Sequence, residues 1–267
     1  MSKIVSESLF VPDNEQEYIT RDSVNIIKNF SYDQTEILYN IGMLYNNGSC
    51  QFDCDITASQ LGFYNGGSNY EYAIPEPKIL MDVFPQREDI IKLDKWGKIP
   101  LEDSSIHSIV IDLPFVMTVP GKEGDKPGNN LTYKRFSGYY PEENLYYSYY
   151  HWLSEASRVL DEDGLCIFKC QSSISSSIRH NIEEFSFMAA QRLGFTMEDK
   201  FTLLAKSRLI NYNDWFKHGQ VHSRSYTSMF LVFIKKLNKK KKEFNYEELL
   251  DVCREKELDG YTDIVEK

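Results

Sequence analysis

Asp112-Leu113-Pro114-Phe115 follows directly on Ser108-Ile109-Val110-Ile111. A short apolar, β-branched run that ends on a carboxylate, a proline and an aromatic ring combines features that chemistry can use. The run has the composition of a strand buried on both faces. In an open α/β sheet, ligands bind outside the carboxyl ends of the strands, so Asp112 stands where a reaction can take place. Such a group can hold a planar amino group for alkylation. The amino nitrogen of adenine or cytosine is a poor nucleophile because its lone pair is delocalised into the ring. With Asp112 accepting one N–H and the Leu113 carbonyl the other, the nitrogen is drawn toward a tetrahedral, nucleophilic geometry. Pro114 would fix the turn through its locked φ, and Phe115 would stack on the base. Taken alone, the four residues describe a strand end followed by a turn; their position in the chain is what points to chemistry.

The elements that must position this group alternate along the chain. A helix is predicted over Asp33–Tyr45, with apolar residues at 37, 38, 41, 44 and 45 and a stop at Asn46-Asn47-Gly48. Strands are predicted over Cys50–Ile56, Lys78–Val83 and Asp89–Asp94, each closing on or near an acid, and the Asp112 strand is the fourth. A long loop, 118–141, leads to a helix over Glu142–Leu160, stopped by Asp161-Glu162-Asp163-Gly164. Leu165–Cys170 reads as a fifth strand, Ile182–Leu193 as a helix, and Phe201–Ala205 and Met229–Ile234 as two late strands. This alternation predicts an α/β fold, a doubly wound, mostly parallel, seven-stranded sheet with helices on both faces. Residues 1–34 are expected to form an N-terminal arm, 35–236 the domain, and 237–267 a basic, helical appendage.

The chain has 267 residues, 42% of them hydrophobic and 26% charged, which suits a globular protein with a sizeable core. No apolar run approaches a membrane span, and Met1–Glu7 lacks the apolar core of a secretory signal. Five cysteines, an odd number, suit a reducing cytoplasm. The net charge of −10 counts against a nucleic-acid partner, since phosphate contacts need local positive charge. Local basicity stands at Lys122, Lys126, Lys134 and Arg135 in the loop after Phe115, and in Lys235-Lys236 and Lys239–Lys242.

In order and motif the chain resembles the class I S-adenosylmethionine-dependent methyltransferases over about residues 35–236. More narrowly it resembles DNA methyltransferases of phages and bacteria, in which a D-x-D-x-T-Y-S-x-G-x-F-Y loop opens the domain and D-P-P-F follows the fourth strand. The corresponding stretch here is Asp53-Cys54-Asp55-Ile56-Thr57-Ala58-Ser59-Gln60-Leu61-Gly62-Phe63-Tyr64. Arg135-Phe136…Tyr139, Ile167–Gln171, Leu203–Arg208 and His222–Phe233 also match. The resemblance implies S-adenosylmethionine as cofactor, held by Asp53, Asp55 and Ser59 through Gly62 in the first loop, by Asp82 at the ribose and by Asp94 at the adenine. It implies transfer to an exocyclic amino group of a DNA base, with adenine favoured, and His222 and Arg224 facing the cleft. The sequence departs from the pattern at Leu113, in place of the first proline, and at Ala58 and Leu61, in place of Tyr and Gly. The glycine-rich first motif of methyltransferases is absent. An RNA or protein methyltransferase of the same fold, or a degenerate binding subunit, are the alternative readings.

Cys50/Cys54 and Cys166/Cys170 have a C-x₃-C spacing, but both pairs fall on or beside strands, where cysteine acts as a small apolar residue. No metal site is expected, and methyl transfer from a sulfonium needs none. No Pro-Cys dipeptide occurs, so no nucleophile for methylation at a pyrimidine ring carbon is present, which again favours an amino target. The loop 118–141 reads either as a substrate-gripping lid or as an insertion, and Ser172–Ser177 admits the same two readings.

Overall fold

A computed structural model of the protein describes residues 26–64, 72–115, 142–175, 178–206 and 225–236. Its central strand, β5 (Ile106–Asp112), buries Ile109, Val110 and Ile111 to within 1% of full burial, because helices cover both faces of the sheet. The other strands are β1 (Phe30–Ser31), β2 (Cys54–Asp55), β3 (Ile79–Asp82), β4 (Ile91–Lys92), β6 (Leu160–Cys170), β9 (Phe195–Leu204) and β10 (Thr227–Lys235). They lie in the order β1-β9-β10-β6-β5-β2-β3-β4. Strand β10 runs antiparallel to both of its neighbours, β6 and β9, and every other pair is parallel. The chain winds outward from β2 through β3 to β4, then returns to β5 on the other side of β2. The topological switch point therefore lies between β2 and β5, where an open α/β sheet leaves a crevice at its carboxyl rim.

Successive residues of β5 point to opposite faces and build two cores. Ile109 and Ile111 join Phe168, Phe233 and the buried stripe of α2 (Glu142–Val159), namely Leu145, Tyr149, Trp152, Leu153 and Ala156, together with Phe185 of α3 (Ile182–Arg192). That stripe recurs at three and four residues, the helical period. Val110 joins Ile167, Phe230, Val232 and the Ile37, Leu38 and Ile41 face of α1 (Gln34–Tyr45). Asp33 caps α1 by accepting the Thr35 N–H at 2.8 Å. Gly42 is dictated by crowding, since a Cβ there would lie 2.7 Å from the Ser49 carbonyl oxygen.

The sheet has eight strands where seven were expected. The extra strand, β1, comes from the segment read as an N-terminal arm. Phe30 and Ser31 pair with Thr202 and Leu203, and Thr202 donates to the Asn29 carbonyl at 2.8 Å. A two-residue edge strand leaves too short a pattern to see in the sequence. The first and third predicted strands shrink to Cys54–Asp55 and Ile91–Lys92, while β9 starts six residues earlier than expected, at Phe195. Asp161–Gly164, read as a helix stop, bulges out within β6: Ile106 pairs with Leu160 and Ser108 with Leu165, and Asp163 sits at φ 58°. The serine-rich stretch contributes a strand pair, β7 (Ser173–Ser175) with β8 (Ile178–His180). The C-terminal helix and lysine run lie outside the described residues, as do Lys122, Lys126, Lys134, Arg135, His222 and Arg224. No helix among the described residues is long and apolar enough to cross a membrane.

Candidate active site

Three adjacent parallel strands end on carboxylates: β2 on Asp55, β3 on Asp82 and β5 on Asp112. They do three different things. Asp55 lies beneath the rim, fully buried. One of its oxygens accepts the Tyr64 hydroxyl at 2.7 Å, and the other accepts the Thr57 N–H at 2.7 Å and the Thr57 hydroxyl at 3.0 Å. Burial pushes its carboxyl up to about 7, with the nearby Asp112 adding to the rise and the hydrogen bonds from Tyr64 and Thr57 opposing it. Asp55 thus pins the loop 56–64 from inside, where the resemblance implies a cofactor contact. The Thr57 oxygen also accepts the Asp112 N–H at 2.8 Å, which joins the ends of β2 and β5.

Asp82 faces the loop at the rim. It accepts the Ser59 N–H at 2.8 Å on one oxygen and the Phe84 N–H at 2.6 Å on the other. These two backbone contacts hold the carboxylate against the loop at the carboxyl rim of the sheet. Asp94 is exposed two residues beyond β4. Gly62 has an ordinary φ, and the nearest atom to a Cβ built on it is the Gln34 side-chain nitrogen at 3.8 Å, so the backbone there is open to close approach. The left-handed positions of the loop are Ser59 (φ 52°) and Leu61 (φ 60°) instead.

Leu61 is the departure that most needs an explanation, and packing supplies it: the side chain is only 1% exposed, in the α1-side core. A non-glycine residue in the left-handed region costs roughly 1–2 kcal/mol, whereas emptying a buried leucine site costs about 2–5 kcal/mol. Burial wins. Leu61→Gly should therefore destabilise the fold even though it restores the residue of the motif that the loop resembles. Glycine also relieves the strain that alanine keeps, so Leu61→Gly should unfold at higher urea than Leu61→Ala, the reverse of the usual order of these two residues. A lower midpoint for the glycine variant would show that the φ at 61 carries no strain.

Asp53 is the clear correction. It precedes β2 and faces the opposite, amino edge of the sheet, where it pairs with Lys78 at 2.7 Å and accepts the His107 N–H at 2.9 Å and the Ser108 N–H at 3.1 Å. It lines a cavity there with Ser105, His107 and Asp161. Because β2 has only two residues, Asp-x-Asp straddles it, and the first acid cannot share the rim with the second.

Asp112 is partly exposed, and Lys169 donates to one of its oxygens at 2.9 Å. The two residues are register partners on β5 and β6. The Lys169 ammonium lies over the rings of Phe63 and Phe230, 5.0 and 5.6 Å from their centroids. Leu113 is buried, and its carbonyl oxygen stands 3.5 Å from the Tyr149 hydroxyl, which is also 3.4 Å from the Pro114 carbonyl. These contacts are too long to be strong hydrogen bonds. Phe115 packs, half-buried, against the α2-side core, so only part of its ring is available for stacking. Sequence reasoning assigned no role to Lys169, Thr57, Tyr64 or Tyr149. For Lys169 a signal existed: it is the single charge in Leu165–Cys170, an otherwise apolar run.

Cys54, Cys166 and Cys170 are buried with their thiols pushed up by that burial, and no cluster of metal-ligating side chains occurs among the described residues. His151 meets the Gly97 carbonyl through Nε2 at 2.8 Å.

The strand order, with the antiparallel β10 inserted between β6 and β9, defines a Rossmann-like, doubly wound α/β fold. No family model and no curated protein matches the chain. Among solved structures it aligns with a candidate DNA modification methylase from Thermus thermophilus in complex with S-adenosyl-L-methionine, at 11% identity and TM-score 0.35, over 54% of this chain and 51% of that one. It aligns with the cytosine-N4-specific PvuII DNA methyltransferase at 15% identity and TM-score 0.34, over 51% and 45%. A candidate type 11 methyltransferase from Sulfolobus solfataricus aligns at 14% identity and TM-score 0.35, over 77% and 95%. The matched part of the chain spans about half the length of the first two. Likenesses this distant carry no functional conclusion; strand order and rim chemistry carry the reading below.

Proposed function

We propose that the protein is an S-adenosylmethionine-dependent methyltransferase acting on an exocyclic amino group of a DNA base, with adenine favoured, in the cytoplasm. The observation that carries this reading is adjacency: the Asp82–Ser59–Gly62 wall and the Asp112 carboxylate stand on one rim, on either side of the switch point. The residues fit the cofactor. Asp82 is a carboxylate at the rim, the kind of acceptor that a ribose diol requires, Gly62 leaves room against the backbone, and Val83 and Phe84, exposed beside Asp82, offer an apolar edge for a purine.

Bound S-adenosylmethionine would supply a methyl group on a sulfonium, whose sulfur leaves as a neutral thioether as the new N–C bond forms. Asp112 accepts an N–H of the target through the oxygen that Lys169 does not hold, and localises the nitrogen lone pair. The nitrogen becomes positive on methylation, and its proton leaves by way of the Asp112 carboxylate to solvent. On a duplex the base must first be flipped out of the stack. Lys122, Lys126, Lys134 and Arg135, directly after the site in sequence, are the proposed phosphate contacts, and His222 and Arg224 are proposed as further substrate contacts. Neutralising the four basic residues should flatten the salt dependence of DNA binding by roughly one unit of slope per lost phosphate contact.

Cofactor at about a hundred times its Kd should stabilise the fold by about 2.7 kcal/mol, and Asp82→Ala should abolish that thermal shift. Labelled S-adenosylmethionine incubated with separate DNA, RNA and protein pools should label DNA alone, at an N-methylated base. Label in RNA or protein moves the acceptor class, which the net charge of −10 would suit. Neither a cofactor shift nor label in any pool would leave a binding subunit.

A further inference from the structure

We infer that Lys169 is the positioning residue of this site: it fixes one oxygen of Asp112 so that the other is presented to the acceptor, and it ties that carboxylate to the donor-side loop. The inference rests on the methyltransferase reading above and deepens it. Three observations converge on the ammonium. It is register-paired with Asp112 across β5 and β6 and donates to a single carboxylate oxygen at 2.9 Å. It caps a pair of adjacent rings, Phe63, from the loop that also carries Ser59 and Gly62, and Phe230, from β10, whose centroids are 5.9 Å apart. Its side chain is only 12% exposed. With the ammonium largely out of water and Asp112 still 27% exposed, the pair is a weak source of stability, because desolvating the lysine offsets much of the attraction and solvent at the carboxylate screens the rest. Orientation is the better account.

An aspartate χ2 torsion is broad and nearly two-fold, so an unheld carboxylate at the rim would turn freely. Lys169 removes that freedom at one oxygen, while the Thr57 oxygen, 2.8 Å from the Asp112 N–H, fixes the backbone beneath it. The other titratable neighbours of Asp112 are Asp55 and Tyr64 below and Cys170 on β6. None of these supplies a cation, so among them Lys169 alone can do this. The ring of Phe63 makes the arrangement two-sided. A shift of the 59–64 loop on cofactor binding would move the face against which the ammonium rests, and with it the aim of the carboxylate.

Lys169→Met keeps the length and apolar stem of the side chain and removes the charge; Lys169→Arg keeps charge and aromatic stacking. The expected result is a loss of about 10- to 100-fold in kcat for Lys169→Met, with cofactor Kd and acceptor KM within about threefold and recovery of most of the rate in Lys169→Arg. In an Asp112→Ala background Lys169→Met should add nothing further, since it acts through that carboxylate. A second readout needs no turnover. Amide exchange at Asp112 should quicken about tenfold in Lys169→Met, a shift of about 1.4 kcal/mol, and not in Lys169→Arg, with exchange in β10 unchanged in both. Wild-type rate and unchanged Asp112 exchange in Lys169→Met would overturn the inference, as would a rate loss that follows cofactor affinity. A wild type that neither binds cofactor nor transfers methyl ends the methyltransferase reading, and the exchange result then decides by itself whether Lys169 holds Asp112.

Discussion

Asp112→Ala should lower kcat by about 10²- to 10³-fold, the scale of removing one group aimed at a transition state, while cofactor affinity stays within a few-fold. The contact is made with the acceptor and strengthens as the nitrogen becomes tetrahedral, so the loss belongs in kcat. Removing the carboxylate also strands the largely buried Lys169 ammonium against the Phe63 and Phe230 rings, so Asp112→Ala should unfold at lower urea, and the rate must be corrected for folded fraction. Asp112→Asn separates the two effects. Its single amide oxygen satisfies either Lys169 or the acceptor, and the charged donor wins it. The NH₂ then faces the acceptor's own N–H. Asp112→Asn should therefore fold like the wild type and transfer methyl about as poorly as Asp112→Ala. Wild-type rates in either variant, measured as label transferred per folded protein, would show that Asp112-Leu113-Pro114-Phe115 is only a turn.

Much of the frame was legible because it is written in local periodicities. The β-branched run of β5 and the three- and four-residue spacing in α2 each specify one element within one window. Strands that end on acids were legible for the same reason, and Asp82 and Asp112 stand at the rim as expected. The role of each acid was not, because it depends on partners far away in sequence. Asp55 and Asp53 differ in role because β2 is two residues long, and Lys169 reaches Asp112 only through the β5–β6 register. The departures from the family pattern also become intelligible only in three dimensions. Ala58, Leu61 and Leu113 are all buried, at 3%, 1% and 5% exposure, so at these positions side-chain packing takes the place of glycine, tyrosine and proline chemistry. Leu113→Pro, which restores the motif, would remove a buried side chain from the α2-side core and should destabilise the fold.

Asp55 should give the fold a pH dependence of its own. Its carboxyl sits at about 7 in the folded protein, raised first by burial, against 3.8 for an ordinary aspartate. Between these values the unfolded chain releases a proton that the folded chain keeps, so the folded state binds more protons and stability must fall as pH rises. The full contribution is present below about pH 4 and is lost by the time pH passes about 7. At 1.36 kcal/mol per unit the loss comes to about 4 kcal/mol. Asp55→Asn removes the titration while keeping an oxygen for the Thr57 N–H and hydroxyl, and its amide can donate to the Tyr64 oxygen. The variant should be no more stable than wild type at pH 4, where Asp55 is already neutral, and should overtake it toward pH 8. Taking the difference between the two proteins cancels every other titrating group they share. Urea midpoints at pH 4, 6 and 8 should therefore diverge in favour of Asp55→Asn. Parallel curves would mean that Asp55 titrates as an ordinary carboxylate and that the end of β2 is open to water. Such an opening would also undo the anchoring of the 56–64 loop on which the proposed donor site depends.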